Sequence, residues 1–122
     1  MRVQHGGCHC GRVAFEVRGE PTSVLRCNCS ICEMRGRYLH WIVPREDFTL
    51  TSRWVELALY SFGTHAAKHF FCRHCGITSF YVPRSHPGSM SINARCVRDL
   101  DVDALEVADF DGQNWELAFE KL

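Results

Sequence analysis

Eight cysteines in 122 residues, seven of them in three tight clusters, constrain this chain more than any other feature. Cys8-His9-Cys10 is a C-x-C, and Cys27-Asn28-Cys29-Ser30-Ile31-Cys32 is a C-x-C-x-x-C. Cys72-Arg73-His74-Cys75 is a C-x-x-C followed by Gly76, and Cys96 stands alone. The N-terminal Met1-Arg2-Val3-Gln4-His5-Gly6-Gly7 has no apolar signal core, and no apolar run approaches the ~20 residues that span a bilayer. A cytoplasmic location is therefore expected, where thiols stay reduced and clustered cysteines serve a metal in preference to disulfides.

Zinc prefers four tetrahedral ligands. The turn of a C-x-x-C directs both sulfurs inward, and Gly76 supplies the tight backbone a knuckle needs. A C-x-C does the same where the chain kinks, as Gly6, Gly7 and Gly11 allow. The simplest partition gives Cys8, Cys10, Cys72 and Cys75 to one closed, structural zinc. Cys27, Cys29 and Cys32 are left for a second zinc with a vacant fourth position, which is how catalytic zinc differs from structural zinc. Two Zn2+ per chain are thus expected. An iron–sulfur cluster, or a second structural zinc completed by Cys96 or a histidine, remains open at this point. Cys96 is read as a small buried hydrophobe and kept out of the ligand set.

The rest of the chain sets the fold class. An apolar fraction of 46% with 23% charged residues is that of a globular protein, and the length suits one domain, 1–122. Fourteen basic residues balance fourteen acidic ones without blocks of either sign, which gives no electrostatic case for nucleic acid or an acidic membrane. Strand patterns dominate: Arg12 to Val17 alternates with Val13, Phe15 and Val17 on one face, and Tyr38 to Val43 is aromatic and β-branched up to Pro44. Trp54 to Tyr60, Lys68 to Phe71, Thr78 to Val82 and Ser89 to Asn93 are further strands. Helical turns are expected at Arg45 to Phe48 and Val102 to Leu105, a turn at Asp111-Gly112, and a strand or short helix over Trp115 to Leu122. The expectation is an all-β architecture of small antiparallel sheets pinned by metal, with short helical turns.

In their order and flanking residues these clusters resemble the glutathione-dependent formaldehyde-activating enzyme family. The segments that carry the resemblance are GGCHCGRVAFEV (6–17), CNCSIC (27–32), HWIVP (40–44), FGTHAAKHFFCRHCGITSFY (62–81) and INARC (92–96). Within the family the run THAAKHFFCRHCGITSFYVPRSHPG (64–88) is similar to the centromere protein V branch. The resemblance implies the Mss4-like β-tent fold. It implies a structural zinc on Cys8, Cys10, Cys72 and Cys75, and a catalytic zinc on Cys27, Cys29 and Cys32. The implied activity is that of a carbon–sulfur lyase, with glutathione or another small thiol and an aldehyde as partners. S-(hydroxymethyl)glutathione is the family's adduct.

For proton transfer or pocket lining the candidates are His40, His65 and His69, with Tyr38 and Arg35 as positioning groups. Each histidine can also be a structural hydrogen-bonding residue, and His9 and His74 are expected to point outward from their knuckles. Arg84 to Gly88 reads as a turn able to line the site's mouth. Glu33, next to Cys32, and the short chain favour a small or less anionic thiol over glutathione. A non-catalytic zinc module that binds a protein partner, and a metal or redox sensor, are the rival readings.

Overall fold

The computed structural model describes residues 2–36 and 38–122. Among the described residues, ten strands form two sheets. β1 (Val3–Gly7), β2 (Ala14–Arg18) and β5 (Phe48–Leu50) make an antiparallel three-stranded sheet in the order β1-β2-β5. β3 (Ser23–Cys27), β4 (His40–Pro44), β6 (Leu57–Tyr60), β7 (Lys68–Cys72), β8 (Phe80–Val82), β9 (Ser89–Asn93) and β10 (Glu106–Phe110) form the second sheet. Its order is β10-β3-β4-β9-β8-β7-β6, antiparallel except for the β10–β3 pair, which is parallel. Two one-turn-scale helices, α1 (Ser30–Met34) and α2 (Trp115–Glu120), complete the regular elements together with short 3-10 turns. The protein is thus mostly β, as the sequence pattern implies.

Alternation in β2 does what period two requires, burying Phe15 and Val17 while Glu16 stays half-exposed, and Val13 is buried just ahead of the strand. Phe80 on β8 joins the two sheets. Its ring centroid lies 5.9 Å from that of Phe15 and 4.7 Å from that of Phe48, and Phe15 and Phe48 are 5.6 Å apart. Ile92, Met90, Val43 and Trp41 extend the same core along β9 and β4. Gly6 is required by this packing, because a Cβ there would run into the Phe15 ring and stand 2.7 Å from the Cys96 carbonyl oxygen.

Two expectations shift. Trp54 to Tyr60 is a strand only from Leu57, since Trp54–Glu56 closes as a 3-10 turn and places the Trp54 ring edge-on to Phe70 at 5.3 Å. β3 and β10, at one end of the second sheet, have too little alternation to stand out in the sequence and are absent from the expected strands. The tail resolves as helix α2. No helix among the described residues is long and apolar enough to cross a membrane.

Candidate metal centres and the cavity above the three-sulfur cluster

The four-sulfur cluster forms where the turn after β1 meets the turn after β7. Cys8 and Cys72 are buried, Cys75 is half-buried and Cys10 is exposed. Backbone N–H groups of Val13 and His74 donate to the sulfurs of Cys8 (3.3 Å) and Cys72 (3.4 Å), and Gly76 N–H closes the second knuckle on the Cys72 carbonyl at 3.0 Å. Gly76 takes φ +79°, the left-handed conformation the knuckle demands. Cys8 and Cys10 sulfurs lie 3.6 Å apart, and those of Cys10 and Cys72 lie 3.7 Å apart. A disulfide requires about 2.05 Å. A tetrahedron with metal–sulfur bonds of about 2.3 Å has edges of about 3.8 Å, so this spacing suits a four-thiolate zinc site. His9 is exposed, and His74 turns outward to Glu56, 2.6 Å away.

The three-sulfur cluster sits where β3 ends and α1 begins. Cys27 is the last residue of β3, Cys29 precedes the first turn of α1, and Cys32 lies buried within it. All three sulfurs fall within 4.8 Å of one another. Crowding makes one sulfur ionise at the others' expense. Hydrogen bonds from the Cys27 and Cys32 thiols push Cys29 down to about 2, while contacts with Cys27 and Cys29, together with burial, hold Cys32 far above the usual thiol range. A divalent cation is the group that lets all three ionise together, so the donor set fits zinc. Cys96 belongs to neither cluster; burial raises its thiol, as for a hydrophobic packing residue.

Parallel pairing of β10 with β3 sets Phe110 beside Cys27 and carries the chain onto the triplet. The following turn is pinned by Asn28, whose amide donates to Asp111 (2.8 Å) and accepts from the Gln113 N–H (3.0 Å). Gly112 then lies against the sulfurs: an added Cβ would stand 2.5 Å from Cys27 Sγ and 2.7 Å from Cys29 Cβ. Gly112→Val is accordingly expected to displace this turn and weaken metal binding at the triplet by about tenfold, the scale of changes next to metal ligands. A chelator competition would measure it, with the four-sulfur site unchanged as the internal control. Unchanged affinity would show that the turn yields freely.

Above the triplet is a cavity of about 450 Å³. His40 and His69 both line it, as do Tyr81, Phe62, Arg84 and Trp115. The two histidines differ in what they hold. His40 is buried, with Nε2 3.5 Å from Cys32 Sγ and Nδ1 within reach of the Ser91 hydroxyl (3.0 Å) and the Tyr81 hydroxyl (3.1 Å). A thiolate at Cys32 therefore places the His40 proton on Nε2, donating to sulfur, with Nδ1 accepting. His69 is fixed differently. Arg35 Nη2 donates to His69 Nδ1 at 2.9 Å, so the imidazole is neutral with its proton on Nε2. Nε2 has no protein hydrogen-bond partner among the described residues. The ring is sandwiched between Phe62 (5.6 Å, 17°) and Tyr81 (4.8 Å, 15°). Burial, with the Arg35 charge adding to it, lowers both His40 and His69 to about 4.

The remaining expectations separate. His65 is exposed on a loop at φ +58°, bonded to the Ser61 hydroxyl at 3.3 Å, and is not among the cavity's lining residues. Tyr38 and Arg35 stand behind the cavity: Tyr38 donates to the Ser91 carbonyl (2.9 Å), and the Arg35 guanidinium lies 5.8 Å from the Tyr38 ring and 5.6 Å from the Tyr81 ring. Arg84 and Ser85 of the Arg84 to Gly88 turn reach the mouth. Glu33 is exposed and does not line the cavity, so it supplies no reason to disfavour an anionic substrate. Tyr81, Phe62, Gly112 and Trp115 are not singled out by spacing: Tyr81 arrives on β8, and the others on the loop, turn and helix that follow paired strands.

A family model described as "Glutathione-dependent formaldehyde-activating enzyme" matches residues 3–110. The fold is also similar to a crystal structure of a Rhodobacter sphaeroides protein, with 31% sequence identity and a TM-score of 0.75. That likeness covers 85% of this chain and 99% of the other. With the ordered cysteine clusters, the mostly β fold and a family match over most of its length, the chain belongs to the glutathione-dependent formaldehyde-activating enzyme family.

Proposed function

We propose that the chain is a zinc-dependent carbon–sulfur lyase that makes and breaks a thiol–aldehyde adduct, with Cys8, Cys10, Cys72 and Cys75 holding a structural zinc and Cys27, Cys29 and Cys32 a catalytic one. The observation that carries this reading is a cluster of three sulfurs, one short of a tetrahedral set, at a cavity large enough for a small thiol and an aldehyde. Bound by three thiolates, zinc supplies a soft Lewis acid that favours the thiolate form of a sulfur substrate, whose free pKa is about 8.5. One core shared by both sheets supports a single working domain over 1–122, and free cysteines in this density suit a reducing, cytoplasmic setting.

The chain's own residues define the rest of the reaction. Sulfur attacks the aldehyde carbon, the carbonyl π electrons move to oxygen, and the proton lost by the thiol is matched by the one oxygen gains. No oxidant or reductant enters. His69 offers its Nε2–H to the developing oxyanion as a neutral donor held in place by Arg35, Phe62 and Tyr81. His40 keeps its proton toward Cys32 and orients that sulfur, and Tyr81 and Ser91 fix its ring. Apolar walls at Phe62, Phe110 and Trp115 limit water at the adduct.

Two measurements test the reading. Elemental analysis of protein purified without added metal is expected to return two zinc ions per chain. One zinc, or iron with a visible chromophore, would sink the two-site assignment. Exchange-sensitive NMR of formaldehyde with thiol adducts should show acceleration above the spontaneous rate, lost in Cys29→Ser. No acceleration with any thiol, from protein carrying both zinc ions, would leave a zinc-binding interaction module as the better description.

A further inference from the structure

Among the described residues that line the cavity, Arg84 is the only one that is permanently charged. It stands at the mouth, two residues beyond β8, with its side chain 38% exposed. Its guanidinium carbon lies 3.6 Å from the centroid of the Trp115 ring. Stacking covers one face of the guanidinium and fixes its plane, while the N–H donors on its edge stay able to bond. One contact engages that edge: Nη2 donates to the Glu116 carboxylate at 3.2 Å, long for a charge-assisted bond. Glu116 is 81% exposed on its side chain, so the pair is weak and leaves the guanidinium free to take a second carboxylate. Trp115 and Glu116 open α2, and Phe119 braces the Trp115 ring, stacked at 4.8 Å and 9°. These α2 residues lie beyond residue 110, outside the stretch that matches the family model.

We propose that Arg84, set on its Trp115 platform by helix α2, anchors a carboxylate of the thiol substrate, which binds with its sulfur at the triplet and its carboxylate at the mouth. Opposite charges at the two ends of the cavity give this orientation. Three thiolates and a divalent cation leave the floor with a net charge of −1, which repels a carboxylate, whereas Arg84 attracts it. The side chains between them, Leu25, Ile42, Phe62 and Phe110, offer a carboxylate no donor. A guanidinium whose plane is already fixed loses little freedom on binding, so the anchor selects by geometry as well as by charge. The cavity of about 450 Å³ between floor and mouth suits a thiol with several bonds between sulfur and carboxylate. Glu116 competes for the same cation and tempers the anchor without blocking it.

The inference rests on the triplet being a thiol site, and one pair of probes separates the two. Zinc-loaded full chain is titrated calorimetrically with N-acetylcysteinylglycine and with its C-terminal amide, two thiols of nearly equal size that differ by one carboxylate. Arg84→Gln is expected to weaken the acid about tenfold, the scale of a charge-assisted bond partly open to solvent, and to leave the amide nearly unchanged. Trp115→Ala should lower the acid-to-amide affinity ratio by a smaller factor, because the guanidinium keeps its charge and loses its orientation. Comparing acid with amide within each variant cancels any general effect on the fold or on the cavity wall. In wild type the acid should also weaken with added salt more steeply than the amide, a readout that needs no variant. A ratio unchanged by Arg84→Gln, or equal salt dependence of the two thiols, would overturn the anchor while leaving the thiol site standing. A ratio unchanged by Trp115→Ala would overturn the part given to α2. Failure of both probes to bind, or equal binding by Cys29→Ser, would overturn the thiol site and the anchor with it.

Discussion

Cys72→Ser is expected to abolish cooperative folding. Cys72 is fully buried at the end of β7, where its sulfur meets Cys10 Sγ at 3.7 Å and accepts from the His74 backbone. The four-sulfur cluster ties the β1–β2 turn of the small sheet to β7 of the large one, some sixty residues away in sequence. Structural zinc of this kind contributes about 10–16 kcal/mol of binding free energy at neutral pH, and that energy is available only to the folded chain. A domain of this size has a net stability of about 5–15 kcal/mol, so losing one ligand of four is enough to unfold it. Circular dichroism melts and zinc content, read together, measure the effect. Cys29→Ser belongs to the second cluster, whose ligands come from one short segment, 27–32, and cross-link nothing distant. Its melt should stay cooperative. Equal destabilisation by the two substitutions would show that the division into structural and catalytic clusters is wrong.

The same contrast explains what the sequence makes visible. Cysteine spacing alone groups the sulfurs, because knuckle geometry is local and the requirement for four ligands leaves few partitions. Alternation finds β2, whose buried face is regular, and the alternating letters of β9, which is buried on both faces at Met90, Ser91 and Ile92. The parallel β10–β3 pair has no such signature: Glu106 to Asp109 are exposed, and of Val24, Leu25 and Arg26 only Val24 is buried. The pair is held by ladder bonds and by the Arg26–Asp109 ion pair at 2.8 Å. Because Gly112 reaches Cys27, and Trp115 the mouth, only through that pair, spacing arguments miss both of them as well. The histidines illustrate the limit most clearly. His40, His65 and His69 are equivalent as letters, and only the folded chain shows that one serves a sulfur, one faces solvent and one faces the cavity.

His69 gives the second large effect, on rate. His69→Ala should lower thiol–formaldehyde exchange by about 10²-fold, the scale of losing one donor to a developing oxyanion. His69→Gln, which keeps an N–H donor, should recover part of that loss. Arg35 makes the prediction sharper because it controls the charge of the ring. Burial is the larger cause and the Arg35 charge the next in lowering His69 to about 4, against a counteracting pull from Cys29; His40, itself neutral, and the Tyr81 and Phe62 rings complete its surroundings. The wild-type ring is therefore neutral from pH 5 upward, and no loss of rate from His69 should appear between pH 5 and 7. Arg35→Met removes both the charge and the donor to Nδ1, so the ring's pKa rises toward its ordinary value of about 6.5. Burial, the larger cause, stays in place, so the variant's ring titrates above the wild type's but below the ordinary value. The sign is fixed: the added proton sits on Nδ1 and leaves the Nε2–H donor in place, so a fall in pH should not cost the variant rate through this group. NMR titration of the His69 ring in zinc-loaded wild type and variant provides a readout independent of turnover. A ring pKa unmoved by Arg35→Met would show that Arg35 does not control the ring, and an undiminished rate in His69→Ala would remove His69 from the reaction.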